Sequence, residues 1–124
     1  MSLGRLLIVD DDRPFAADLM RDAVRIGIDA KVANSTASAR DEIESWNPTI
    51  IAMDLVMPDS DGLELLRICG QLKYTGKIIL MSGGFELYLK MAEQIALSHN
   101  LNVAGKLPKP FRPNQFSYLL MSLI

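Results

Sequence analysis

Five short apolar runs recur along the chain, RLLIVD at 5–10, AKVA at 30–33, TIIAMD at 49–54, KIILMS at 77–82 and NVAGKLP at 102–108. Their length and branched aliphatic content mark them as buried strands. Segments of helical periodicity alternate with them. The first has Pro14 just inside its start and a stripe of Ala16, Leu19, Met20 and Ala23 before Gly27 ends it. The second begins near Ser35, carries Ala39, Ile43 and Trp46 on one face and stops before Pro48. Leu65, Cys69 and Leu72 define the third, and Phe116, Leu119, Leu120 and Leu123 the last. Strict alternation of five strands with five helices predicts an α/β fold with a parallel sheet covered by helices on both faces.

The chain's 124 residues fit one domain, residues 1–124. A hydrophobic fraction of 49% supplies a core, and 23% charged residues keep the composition far from that of disordered chains. Net charge is −2, with Lys and Arg scattered singly, so no basic stripe exists for direct nucleic-acid contact. Cys69 is the single cysteine and cannot form an intrachain disulfide. No apolar stretch reaches the roughly 18 residues of a membrane span, and no basic start precedes an apolar signal core. A soluble chain in the reducing cytoplasm, away from membranes, is the expectation. The opening MSLG reads as carrying a cloning remnant at Ser2 and Leu3, and YLLMSLI ends without a polar tail. Both suggest a domain cut from a longer protein.

The run IIAMDLVMP at 50–58 ends its apolar stretch on Asp54. An ionised carboxylate at such a position needs water or a cation, since burying it unpaired costs several kcal/mol or forces it to take a proton. In a doubly wound sheet, functional groups collect beyond the carboxyl ends of the strands. That rule brings Asp10, Asp11 and Asp12 after the first run together with Asp54 after the third, Ser82 after the fourth and Lys109 in LPKPF after the fifth. Clustered carboxylates repel unless one is protonated or a divalent cation joins them, and oxygen-only ligands favour Mg²⁺. A carboxylate beside Mg²⁺, an ammonium and a hydroxyl is poised to attack a phosphoryl group, giving an aspartyl phosphate.

Read as ordered motifs, LLIVDDD, MDLVMPDSDGLELL, IILMSGG and LPKPF resemble the receiver domain of two-component response regulators across essentially the whole chain. The resemblance implies a three-layer (βα)5 flavodoxin-like fold with strand order 2-1-3-4-5. By it Asp54 is the phosphoacceptor, Asp11 a direct Mg²⁺ ligand, Asp10 a ligand through water and the Val56 carbonyl a third protein ligand. Ser82 and Lys109 contact the phosphoryl oxygens, and the Lys109–Pro110 peptide is cis. Pro58 bars helix continuation in MPDSDG, while Asp61 and Gly62 let the chain turn and so aim the Val56 carbonyl.

Two departures stand out. Lys106 occupies the position, three before Lys109, where such domains usually carry the aromatic of their switch; the Ser82 half of that switch remains. About five extra residues between Ser82 and Lys109 lengthen the fourth helix or its following loop by roughly a turn and a half. The stretch SGGFELYLKMAEQIALSHNLNVAGKLPKPF is similar to receivers preceding EAL-type cyclic diguanylate phosphodiesterase domains, although this chain holds no EAL catalytic residue.

Plainer readings accompany these. An acidic run at a strand end is commonly a solvated turn or a helix cap, and Ser82 before GG is commonly a cap. His99 reads as a surface loop residue, Cys69 as a small buried hydrophobe, and Met53, Met57, Met81 and Met91 as core packing. Trp46 is expected against the sheet edge.

The implied function is a phosphorylatable switch, served by a sensor histidine kinase or phosphotransfer protein and acting on an output domain. Homodimerisation through the face of the fourth helix, fifth strand and fifth helix belongs to the same expectation. Its rival is a receiver-shaped docking or dimerisation module that takes no phosphate. A Mg²⁺-dependent aspartate phosphatase is disfavoured because Val56 stands where a second aspartate, the general acid, would be. The chain is therefore not expected to be an enzyme beyond slow self-dephosphorylation.

Overall fold

Branched aliphatic residues build the strands β1 (Arg5–Val9), β2 (Asp29–Ala33), β3 (Ile50–Asp54), β4 (Lys77–Ser82) and β5 (Asn102–Pro108). Between and after them lie α1 (Arg13–Arg25), α2 (Thr36–Trp46), α3 (Gly62–Gln71), α4 (Glu86–Ser98) and α5 (Pro113–Ser122). The computed structural model describes residues 2–58, 60–84 and 86–124. Met1 of MSLG, Asp59 of MPDSDG and Phe85 of SGGFELYLK lie outside the described residues.

All pairings in the main sheet are parallel, and the strand order is 2-1-3-4-5, the flavodoxin-like arrangement expected. Alternate strand residues point to opposite faces. Leu7, Val9, Ile51, Met53, Ile78 and Leu80 meet α2, α3 and α4 on one side. Leu6, Ile8, Ile50, Ala52, Ile79 and Met81 meet α1 and α5 on the other. Two cores thus sandwich the sheet, which holds the strand ends rigid.

The expectation of five buried strands needs correction at the edges. β1, β3 and β4 are buried along nearly their whole length, whereas β2 and β5 alternate with exposed positions because each has a neighbouring strand on one side only. In β5, Ile78 pairs with Val103 but Ile79 with Gly105, so Ala104 is an extra residue in a bulge. The helix before β5, α4, has 13 residues.

Helix ends follow local chemistry. Asp12 caps α1 by accepting the Phe15 N–H at 3.1 Å, and Gly27 follows its end with φ +95°. Ser35 caps α2 through the Ser38 N–H, and Asn47 closes it in the left-handed region before Pro48. Met20 and Met91 sit on outward faces, not in the core, since the buried stripes of α1 and α4 are filled by Ala16, Leu19 and Ala23 and by Ala92 and Ala96. Met53, Met57 and Met81 are buried, as is Cys69. His99 is exposed, and Trp46 packs beside the edge strand with the Lys31 ammonium 4.9 Å from its ring centre. No described helix is long and apolar enough to cross a membrane.

Candidate functional site

At the carboxyl edge of the sheet the order reverses around β1, which lies between β2 and β3. The residues leaving β1 and β3 therefore face one crevice. Asp10, Asp11 and Asp54 each offer a carboxylate oxygen there, all within 4.8 Å of one another. Asp10 is fully buried and Asp54 is 5% exposed, while Asp11 is open to solvent. Both buried acids are held. Asp10 Oδ1 accepts the Asp12 N–H at 2.9 Å, and Asp54 Oδ1 accepts the Val56 N–H at 3.1 Å.

Lys109 closes the cluster. Its Nζ donates to Asp10 Oδ2 at 2.7 Å and to Asp54 Oδ2 at 3.2 Å. The Lys109 N–H also donates to the Ser82 carbonyl at 2.6 Å, tying the end of β5 to β4, and the Lys109–Pro110 peptide is cis. Burial, the largest influence on Asp54, raises its carboxyl above the ordinary range. The Val56 N–H and Lys109 oppose that rise and the Asp10 charge adds to it. Burial alone would lower the Lys109 ammonium, but Asp10 first and then Asp54 outweigh it and hold the group above the usual lysine value.

Beside Asp54 opens a cavity of about 330 Å³ lined by Asp54, Val56, Gly83, Gly84 and Lys109. Neither glycine brings a side chain into it. Ser82 is buried at the same rim but lines a neighbouring cavity of about 120 Å³ with Leu80, Leu89 and Leu107; its Oγ accepts the Gly84 N–H at 3.4 Å. The structure thus brings the sequence-predicted Asp10, Asp11 and Asp54 together, with Lys109 bonded to Asp10 and Asp54; the Val56 N–H, not the carbonyl expected as a metal ligand, bonds to Asp54, and Ser82 is buried at the same rim.

The acidic triplet has two jobs where the sequence suggested alternatives. Asp10 and Asp11 join the carboxylate cluster, and Asp12 is the helix cap. Around Asp54 the chain forms a small antiparallel ladder, Val56–Met57 with Ser60–Asp61, leading into α3. Gly62 is required for space more than for turning: a Cβ there would lie 2.6 Å from the Leu55 Cα. Phe15 was not legible as a site residue, yet its ring centre is 4.4 Å from Lys109 Nζ. The available signal was an aromatic three residues past the acidic cap.

The donor set is oxygen only, two of its acids are fixed by backbone N–H groups, and the third is solvent-exposed, leaving room for water ligands. These residues fit a hard divalent cation such as Mg²⁺.

The family model of the response regulator receiver domain matches residues 6–120, and the chain belongs to that family. It is 39% identical over 72 residues to the response regulator MprA of Mycobacterium avium (strain 104), covering 58% of this chain and 30% of that protein. The chain thus spans about 30% of the length of the curated relatives it matches. A response regulator from Colwellia psychrerythraea superposes with a TM-score of 0.82 at 31% identity, over 98% of this chain and 97% of the other. The receiver domain of a response regulator from Bermanella marisrubri gives 0.79 at 30% identity, over 96% of both. A CheY-like receiver domain protein from Methanospirillum hungatei JF-1 shares the fold, with a TM-score of 0.83 at 24% identity, over 98% of this chain and 93% of the other.

Proposed function

We propose that this receiver domain accepts a phosphoryl group on Asp54 from the histidine of a sensor kinase or phosphotransfer protein, in a Mg²⁺-dependent step, and so switches an output domain. The observation that carries this reading is the meeting of Asp10, Asp11 and Asp54 within 4.8 Å, with Lys109 bonded to two of them.

An Asp54 carboxylate oxygen attacks phosphorus. The new O–P bond forms as the P–N bond to the donor imidazole breaks, its electron pair returning to the departing ring nitrogen. Asp10, Asp11, Asp54 and the Val56 carbonyl would hold Mg²⁺, which when bound supplies neutralisation of charge on the phosphoryl oxygens. Lys109 carries a positive charge already aimed at Asp54, and the cavity over Asp54 admits the donor. When Asp54 carries the phosphoryl group, the Ser82 hydroxyl would bond to it in place of the Gly84 N–H it now accepts, drawing the Gly83–Gly84 loop with it. The shift biases the face formed by α4, β5 and α5.

Leu87, Met91 and Leu97 of α4 and Tyr118 and Met121 of α5 are exposed apolar side chains on the helices that bound that face, which suits an output domain or a second copy. An EAL-type phosphodiesterase is the output domain that the sequence between Ser82 and Phe111 favours. The domain acts in the cytoplasm, contacts neither nucleic acid nor membrane directly, and turns over no foreign substrate. Val56, exposed and apolar, offers no general acid beside Asp54.

Incubation with acetyl phosphate tests the reading. Label is expected on the wild type with Mg²⁺, and neither after chelation nor on Asp54→Asn. Equal labelling of Asp54→Asn would overturn it, and a wild type that never labels would favour the docking module.

A further inference from the structure

We propose that Phe15 is a positioning residue for the Asp54 site: its ring face holds the Lys109 ammonium beside the carboxylates and so speeds phosphoryl transfer onto Asp54. The inference rests on the reading of Asp54 as phosphoacceptor and adds a residue that the acidic and basic motifs do not contain.

The contact has the geometry of a cation over an aromatic face. Lys109 Nζ lies 4.4 Å from the Phe15 ring centre, within the roughly 6 Å over which the negative face of the ring attracts a cation. Lys109 reaches its place through four rotatable carbon bonds, and its side chain remains 21% exposed. Its two carboxylate partners constrain the ammonium unequally, since Asp10 is nearer at 2.7 Å than Asp54 at 3.2 Å. A third wall limits how far the charge can swing toward water.

That wall is itself anchored. The Phe15 N–H donates to the Asp12 cap, fixing the first turn of α1. Its ring meets Phe111 edge-on at 5.5 Å and 68°, and Phe111 lies nearly parallel to Phe116 at 6.4 Å and 22°. Phe116 is fully buried in the core between the sheet, α1 and α5. Three rings thus run from that core to the ammonium. Phe111 of the LPKPF motif gains a purpose by this route, since it supports the ring that faces Lys109 two residues earlier.

A purely structural Phe15 would fill space between α1 and Phe111 and leave Lys109 indifferent. Phe15→Leu keeps apolar bulk without an aromatic face, and Phe15→Tyr keeps the face. Acetyl phosphate labelling rates are expected to fall about threefold to tenfold in Phe15→Leu and to stay near wild type in Phe15→Tyr. In a Lys109→Gln background the same Phe15→Leu change should add no further loss, because its effect passes through the missing ammonium. The ε-methylene protons of Lys109 give a signature separate from rate: ring-current upfield shifts in the wild type and Phe15→Tyr, abolished in Phe15→Leu. Should Leu unfold the first turn, Phe15→Met repeats the comparison.

Wild-type labelling in Phe15→Leu, or an equal loss in the Lys109→Gln background, overturns the proposal. A wild type that takes no label overturns the functional reading instead and the rate claim with it, while the proton shifts still report whether the ring holds the lysine.

Discussion

The Lys109 ammonium sits closer to Asp10, at 2.7 Å, than to Asp54, at 3.2 Å. It therefore occupies the space between the two buried acids and competes with any other cation for their oxygens. Replacing it with an uncharged side chain of similar length should tighten Mg²⁺ binding while slowing labelling. In Lys109→Met, calorimetric titration is expected to give about tenfold higher Mg²⁺ affinity, and the acetyl phosphate rate to drop at least about tenfold. Unchanged Mg²⁺ affinity would mean that the lysine and the ion do not share the site.

Asp54 carries an energetic cost in the absence of metal. Burial raises its carboxyl above the ordinary value of 3.8, so the native state binds that proton more tightly than the unfolded chain does. Stability from this group is then undiminished below 3.8 and falls as pH climbs through the folded value. Asp54→Asn cannot ionise, and Lys109 retains Asp10. Without Mg²⁺ at neutral pH the variant should melt at a higher temperature than the wild type. The two curves should converge in acid, and calorimetric scans across pH check this.

Gly62 couples the fold to the site. A Cβ at that position would meet the Leu55 backbone at 2.6 Å for Cα and 2.9 Å for the carbonyl oxygen, and Leu55 directly follows Asp54. Since backbone yields less readily than a side-chain tip, Gly62→Ala should destabilise by about 1–3 kcal/mol. A urea titration would show a lower midpoint with little change in slope, and labelling should slow because Asp54 moves with its neighbour.

At the outer face Lys106 Nζ lies 3.2 Å from Glu93 Oε1, so the lysine joins β5 to α4. Both side chains are well exposed, at 49% and 38%, which keeps the pair weak. A double-mutant cycle with Glu93→Gln and Lys106→Met should give a coupling of about 0.2–1 kcal/mol, shrinking as salt is raised. A coupling that salt leaves untouched would contradict this description.

The layering and the carboxylate rim were legible because both depend on periodicity and on where strands end. Asp10, Asp54 and Lys109 converge as soon as the strands are made parallel. What the sequence left open depends on individual surroundings. An apolar period does not reveal which methionines face outward, and Met20 and Met91 turn to solvent because Ala16, Leu19 and Ala23 on α1 and Ala92 and Ala96 on α4 take the buried positions. The Ala104 bulge arises from pairing with β4 and leaves no composition signal. Ser82 could be assigned to the rim, but its bond to the Gly84 N–H depends on the local turn and not on where the strand ends. The Phe15 contact with Lys109 joins residues far apart in sequence whose meeting follows from the packing of α1 against α5.

Borohydride reduction offers the most direct measurement. An acyl phosphate on an aspartate is reduced to an alcohol, leaving homoserine at the residue that carried it. After incubation with acetyl phosphate and Mg²⁺, peptide mass spectrometry should find that conversion at residue 54 and nowhere else. Conversion at Asp10 or Asp11, or none under conditions where the chain is folded and Mg²⁺ is present, would contradict the assignment of Asp54 as phosphoacceptor.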